Sequence, residues 1–168
     1  MKKILLTLIA LVALPFAVSA QEQKIAIVDV NSILMQMPET KAMQTELDNL
    51  LKKYEDTHVA MQEEFQRKYE AYAAERDTLL ETIRTRREQE IQDLAKRIED
   101  LQKVAQQDYQ KKQVELITPI QKKLQDAVAA VGNENGYTYV VDASTVIFMN
   151  NSTAIDATSK VRAKLGIK

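Results

Sequence analysis

The sequence predicts a mainly α fold with a small β-sheet (α+β): a long antiparallel coiled-coil hairpin projecting from a small β body. Two observations predict it. Between Glu39 and Thr118 there is no Gly and no Pro, and the text is rich in Glu, Gln, Lys, Arg, Ala and Leu. These residues lose little on entering a helix. Strand-like text flanks this excursion on both sides: "KIAIVDV" at 24–30, and "GYTYVVDAS" at 136–144 with "VIFMN" at 146–150. β-Branched and aromatic residues in such short runs favour an extended, half-buried chain.

The first twenty residues stand apart. Lys2 and Lys3 precede the apolar run "ILLTLIALVALPFAV", and small residues end it before Gln21. That is the layout of a secretory signal peptide, with cleavage expected after Ala20. The run is short for a bilayer span and Pro15 interrupts it. The expected divisions are a signal at 1–20, a strand and short helix at 21–38, the helical hairpin at 39–118, and a final part at 119–168. That last part holds the end of the returning helix, body strands and a C-terminal helix.

Removing the signal takes away two of the 23 basic residues and none of the 24 acidic ones, leaving a formal charge of −3. Such a balance argues against nucleic acid as a partner. The chain has no cysteine, which excludes disulfides and thiolate metal sites. With no Trp and three Phe, a large globular core is not expected.

Pro38 suits the first turn of the outgoing helix, where its missing N–H is not needed. Apolar residues then recur at Met43, Leu47, Leu50, Tyr54, Met61, Phe65, Tyr72, Leu79 and Ile83. The spacing, mostly four and three, is that of a coiled-coil seam. A second seam runs through Ile91, Leu94, Ile98, Leu101, Ala105, Tyr109, Leu116, Ile120, Leu124 and Val131. Each seam contains extra fours, which act as stutters. If residue i faces roughly residue 170 − i, these stutters lie opposite each other. The alternative is one continuous rod; the hairpin is preferred because it brings the second strand region back to the first. The tip is expected near 82–88, where Thr85 and Glu88 form a capping-box pattern. "TLLE" at 78–81 offers the same pattern. Each arm would hold about 45 residues and reach roughly 65 Å. Pro119 interrupts the hydrogen-bond ladder at Glu115 and is the expected hinge. Beyond it the helix continues to Gly132, and "GNENG" ends it.

In the body, "NSILMQM" at 31–37 reads as a short helix. "TAIDATSKVRAKLG" reads as a terminal helix with Thr153 and Asp156 as a capping pair and Gly166 as its stop. "KIAIVDV" is apolar on both alternating faces, so it needs cover on both. Self-association supplies the missing cover. Ile25, Ile27, Val28, Val140, Ile147 and Phe148 are the candidate residues of an oligomeric body.

These stretches, above all "KIAIVDVNSIL" and "GYTYVVDASTVIFMNNS" followed by a terminal helix, resemble the Skp (OmpH-like) family of periplasmic chaperones. The resemblance covers essentially the whole mature chain; the helical arms match in length and character. It implies a homotrimer whose strands form a barrel-like body and whose three helical tentacles enclose a cavity. It implies a periplasmic protein that holds unfolded outer-membrane proteins there without ATP; peripheral contact with the envelope membrane, drawn from the same resemblance, loses support from the acidic balance of this chain. The family's well-known members are strongly basic, whereas this chain is slightly acidic, so apolar contacts carry more of the binding here.

The constellations bear on the same reading. Tyr54, Met61, Tyr69, Tyr72 and Tyr109 are candidate client contacts. A two-helix seam leaves the edges of large side chains available, and Tyr and Met bind adaptably. Packing alone is the bland account of the same residues. Arg84, Arg86 and Arg87 are candidate tip contacts to client or envelope, or simply keep the tip soluble. His58, the only histidine, lacks a pocket on a two-helix arm. Neighbouring acidic and basic residues read as solvated i, i+4 pairs. No nucleotide loop, catalytic triad or zinc spacing is present. No catalysis, metal or cofactor is therefore expected. A competing function is a structural or adaptor coiled coil of the envelope that binds a partner through the hairpin tip.

Overall fold

The computed structural model describes residues 23–150 and 153–167. The expected signal peptide and its cleavage point after Ala20 lie outside the described residues. Strand β1 (Ile25–Val28) leads into helix α1 (Val30–Gln36). Asp29 starts that helix by accepting the Ser32 N–H at 2.8 Å. Helix α2 (Pro38–Glu75) runs out with Pro38 in its first turn. A 3₁₀ turn (Arg76–Thr78) reverses the chain, and helix α3 (Glu81–Asn135) returns it. Gly136 ends α3 at φ 64°, a left-handed geometry that favours glycine. Strand β2 (Tyr139–Asp142), strand β3 (Ile155–Asp156) and helix α4 (Thr158–Leu165) complete the body.

The sheet order is β2-β1-β3, with β1 central and both pairings parallel. Ile25 pairs with Tyr139 and Val28 with Asp142 on one side; Ala26 pairs with Ile155 on the other. Alternation then divides the sheet. Ala26 and Val28 are fully buried and pack with Ile33, Met37, Leu124, Val131 and Val161, so α1, α3 and α4 all cover this face. Val140, the partner of Ala26, packs on the same core. The terminal helix is tied down through its first turn. Ala157 N–H donates to the Ile27 carbonyl at 2.9 Å, and Asp29 N–H donates to Thr158 Oγ1 at 3.0 Å.

Four expectations are corrected. The tip is the stretch Arg76–Leu80, and residues 82–88 form the opening turns of α3. Thr85 does not cap, because its hydroxyl donates to the Glu81 carbonyl inside the helix. Thr78 likewise turns its hydroxyl back to Glu75 O. Helix α3 begins instead on the Leu80 carbonyl, which accepts from Ile83 and Arg84 N–H at 2.9 Å. Second, "VIFMN" is not a strand of this sheet: Ile147 and Phe148 are exposed, and the third strand is Ile155–Asp156. Third, the terminal helix begins at Thr158, not after Thr153. Asp156 accepts the Thr158 N–H at 2.8 Å from the end of β3. Fourth, α3 runs through Gly132, which is buried under Val140, and stops only at Gly136.

Ile33 sits at 0% exposure where α1 meets the sheet. Ile33→Ala should destabilise the body by about 2–4 kcal/mol, the usual range for a truncated, fully buried aliphatic side chain. Chemical denaturation at fixed protein concentration checks it; an unchanged midpoint would show that the site collapses without loss.

Candidate functional site

The body leaves two features unaccounted for: the long two-helix arm and the second face of its sheet. The arm packs α2 against α3, so the continuous-rod alternative does not apply. Its seam is thin. Only Leu47 and Leu94 are fully buried along its length, at 1% and 0% exposure. Met43, Tyr54, Met61, Phe65 and Tyr72 on α2 are half-buried, as are Ile98, Leu101 and Tyr109 on α3. Two helices side by side cannot enclose large side chains from all directions.

Polar groups supply the register that the thin seam underdetermines. Glu39 pairs with Lys123 at the base of the arm, and Glu46 with Lys112 at 2.8 Å. Tyr54 donates its hydroxyl to Asp108. Towards the tip Lys68 meets Glu90 at 3.3 Å, Tyr72 donates to Glu88, and Glu75 meets Arg87 at 2.8 Å. Residue i therefore faces about residue 160 − i, as expected for a hairpin folded near Leu80. The expected 170 − i register followed from placing the tip too late. With the observed register Phe65 lies beside Ala95 and Ile98, so it does not face Ala105 and the two stutters are not opposite each other.

These contacts shift the protonation of the groups that make them. Hydrogen bonding to the Asp108 carboxylate, then desolvation, raises the Tyr54 phenol above its ordinary value; Glu88 does the same for Tyr72. The Lys123 hydrogen bond lowers Glu39, and contacts to Glu46 and then Glu115 raise Lys112. In the body, hydrogen bonds from Thr158 lower Asp156.

The candidate residues divide by what they touch. Tyr54 and Tyr72 commit their hydroxyls to the opposite helix, leaving only ring edges accessible. Met61 and Tyr109 are half-buried in the seam. Tyr69 is 52% exposed and stacks on Phe65 with ring centroids 6.2 Å apart and planes 10° from parallel. Arg84, Arg86 and Arg87 lie on α3 just past the turn and pair with Glu81, Glu90 and Glu75. At the turn itself Leu80 is 72% exposed. Pro119 lies within α3, four residues before the Lys123 that ties the arm base to Glu39. Among the described residues no group of three or more His, Cys, Asp or Glu side chains is arranged to hold a metal.

The second face of the sheet is apolar. Ile25, Ile27, Val141, Val146 and Phe148 line an open depression there of about 620 Å³; Ile155 borders it but pairs with Ala26 and packs against the chain's own core. Val28 and Val140 do not belong to it; they serve the chain's own core. Val141 and Val146 were missed in the sequence as members of this face. Val141 was legible from alternation alone, because it pairs with Ile27.

Residues 24–165 match the family model described as outer membrane protein (OmpH-like). The chain is 34% identical over 151 residues to a chaperone protein Skp of Photorhabdus laumondii, covering 88% of this chain and 90% of that one. It is 30% identical over 145 residues to the chaperone protein Skp of Yersinia enterocolitica, covering 86% and 88%. The crystal structure of a putative outer membrane chaperone (OmpH-like) from Caulobacter crescentus superposes with a TM-score of 0.75 at 14% identity. That superposition covers 85% of this chain and 83% of the other, and shows likeness of fold.

The lowered carboxylate at the arm base sets a pH dependence. A depressed folded-state value means that the Glu39 contribution is present above the ordinary carboxylate value of 4.5 and is lost as pH falls through the folded value. Amide exchange, corrected for its intrinsic pH dependence, should therefore show the arm base opening more readily below about pH 4.5. In Glu39→Gln that acid response should shrink, and an identical response in the variant would sink the assignment.

Proposed function

We propose that this chain, which belongs to the OmpH-like family, is an ATP-independent periplasmic holdase that shelters unfolded outer-membrane proteins between helical arms. The observation that carries the reading is the arm itself. A seam with only two fully buried side chains holds many large apolar groups half out of solvent, on rods projecting from a small body. Each exposed edge offers a client about 1 kcal/mol or less, near the lower end of burial values for such side chains. Many such contacts together hold a chain; each alone releases it. Weak adaptable contacts also suit clients that share no sequence.

The same reading requires more than one copy. The uncovered apolar sheet face, the short strands and the exposed Ile147 and Phe148 need a partner surface. A homotrimer closes the face with sibling copies and sets three arms around one cavity. Ile25, Ile27, Ile147 and Phe148 are the residues assigned to that contact. Export of the chain with cleavage after Ala20 places it in the periplasm. There Tyr69 offers the most open client contact, and Tyr54, Met61, Tyr72 and Tyr109 add their edges. The arginines behind the tip serve client or peripheral envelope contact. Pro119 lets the arm swing relative to the body, since its ring removes the bond to Glu115 O.

The solution mass of mature protein, with and without an unfolded β-barrel client, tests the reading. The expected result is a trimer that suppresses client aggregation at near-stoichiometric ratios without ATP. A monomer at micromolar concentration that protects no barrel client would overturn it. Ile147→Asp combined with Phe148→Asp should lower the mass of the assembly while leaving the helical content of the arm intact. An unchanged mass would remove those residues from the contact.

A further inference from the structure

We propose that the groove between the two helices of the arm, beside Phe65, is a subsite for an aromatic side chain flanked by lysine or arginine on an unfolded polypeptide. The inference rests on the holdase reading and adds to it the chemistry of the bound segment. The groove is open, about 590 Å³ in volume, and lies between α2 and α3. Ala95 and Ile98 line it on α3; Phe65 lines it on α2 with the amides of Gln62 and Gln66. Ala95 takes little space, so there is room above it for a ring. One turn along, Tyr69 continues the same helical face and stacks on Phe65. The pair forms an aromatic ledge whose outer ring is half in solvent, and a third ring extends such an offset stack favourably.

Charge selects what stands next to that ring. Glu63 is the one acidic side chain lining the groove, and no cation pairs with it among the described residues. Helix α2 carries nine carboxylates against five lysines and arginines, while α3, the other wall, carries ten of each, so the acidic excess beside the groove comes from α2. A cationic neighbour of the bound ring meets an unpaired carboxylate there; an acidic neighbour meets repulsion. Unfolded β-barrel proteins supply aromatic side chains in quantity, because their strands carry aromatic girdles at both membrane interfaces. The subsite therefore sorts among client segments and favours the aromatic ones with a basic neighbour.

The chain contains no Trp, so the fluorescence of a client tryptophan reports binding without background from the protein. Short unfolded peptides with a single Trp, flanked either by Lys or by Glu, are titrated with the full mature protein. The Lys-flanked peptide should bind about fivefold more tightly than the Glu-flanked one, the effect of one partly exposed charge contact. Ala95→Phe should fill the groove and abolish the blue shift of the bound Trp. Glu63→Lys, at an exposed position outside the seam, should reverse the preference between the peptides. Circular dichroism and solution mass confirm that each variant is folded. Equal affinities for the two peptides, or a preference untouched by Glu63→Lys, overturn the subsite. Suppression of barrel-client aggregation is measured alongside. A wild-type protein that suppresses aggregation yet ignores peptide charge loses the subsite and keeps the holdase reading; one that suppresses nothing loses both.

Discussion

Parallel pairing of β1 with β2 is the constraint on which the rest of the molecule depends. An antiparallel pair is closed by a two-residue turn, but a parallel pair requires the chain to leave one end of the sheet and re-enter at the other. Here everything from Asp29 to Thr138 makes that return, and it does so as two helices zipped side by side. A disordered connection of this length would cost loop-closure entropy each time the strands met. The zipped arm removes that cost, because each outgoing turn of α2 is matched by a returning turn of α3. The length of the arm is then free of the sheet. Matched insertions on the two helices lengthen the rod and leave Ile25 opposite Tyr139.

The second consequence lies in the body. Strands of four, four and two residues form a sheet too small to stand without cover. One face receives it from α1, α3 and α4 around Ala26 and Val28. The other presents Ile25, Ile27 and Val141 to solvent. The chain spends its three body helices on a single face because two of them are fixed by connectivity: α1 follows β1 directly, and α3 must end where β2 begins. Helix α4 could in principle lie on either side. The bond from Ala157 N–H to Ile27 O and the seating of Val161 in the core place it with the others.

The features legible in the sequence are those set by long, uniform patterns. The Gly- and Pro-free stretch announced helices, and the strand text at each end announced the sheet. What failed was local. Thr85 and Glu88 satisfy a capping pattern, yet helix α3 is already under way there, so the Thr85 hydroxyl finds a carbonyl one turn back. "VIFMN" has strand composition, but the place beside β1 goes to Ile155–Asp156, and composition does not say which segment wins an edge. Asp156 looked like a partner of Thr153 in a helix cap; it accepts from Thr158 in a turn two residues long. At the arm, the types of the candidate residues were legible and their partners were not. Displacing the tip by a few residues shifted the register by about ten, because an error at the turn counts on both helices. Tyr54–Asp108 and Tyr72–Glu88 are invisible from any other register.

That dependence on register explains why the arm is held by polar contacts along with apolar ones. A seam of Leu and Ile at every position would bury its side chains more fully and leave little on the surface to bind anything. It would also tolerate slippage, since one leucine replaces another in the next turn at small cost. Hydroxyl–carboxylate and ion-pair contacts behave differently. Exposed pairs contribute little each, but each is satisfied in only one alignment, so a slip of one turn breaks all of them together. Specificity of register is thus separated from depth of burial. The helices can stay aligned while Phe65, Tyr69 and Met61 remain partly open to solvent. A rod built this way keeps its alignment while leaving part of its apolar seam accessible.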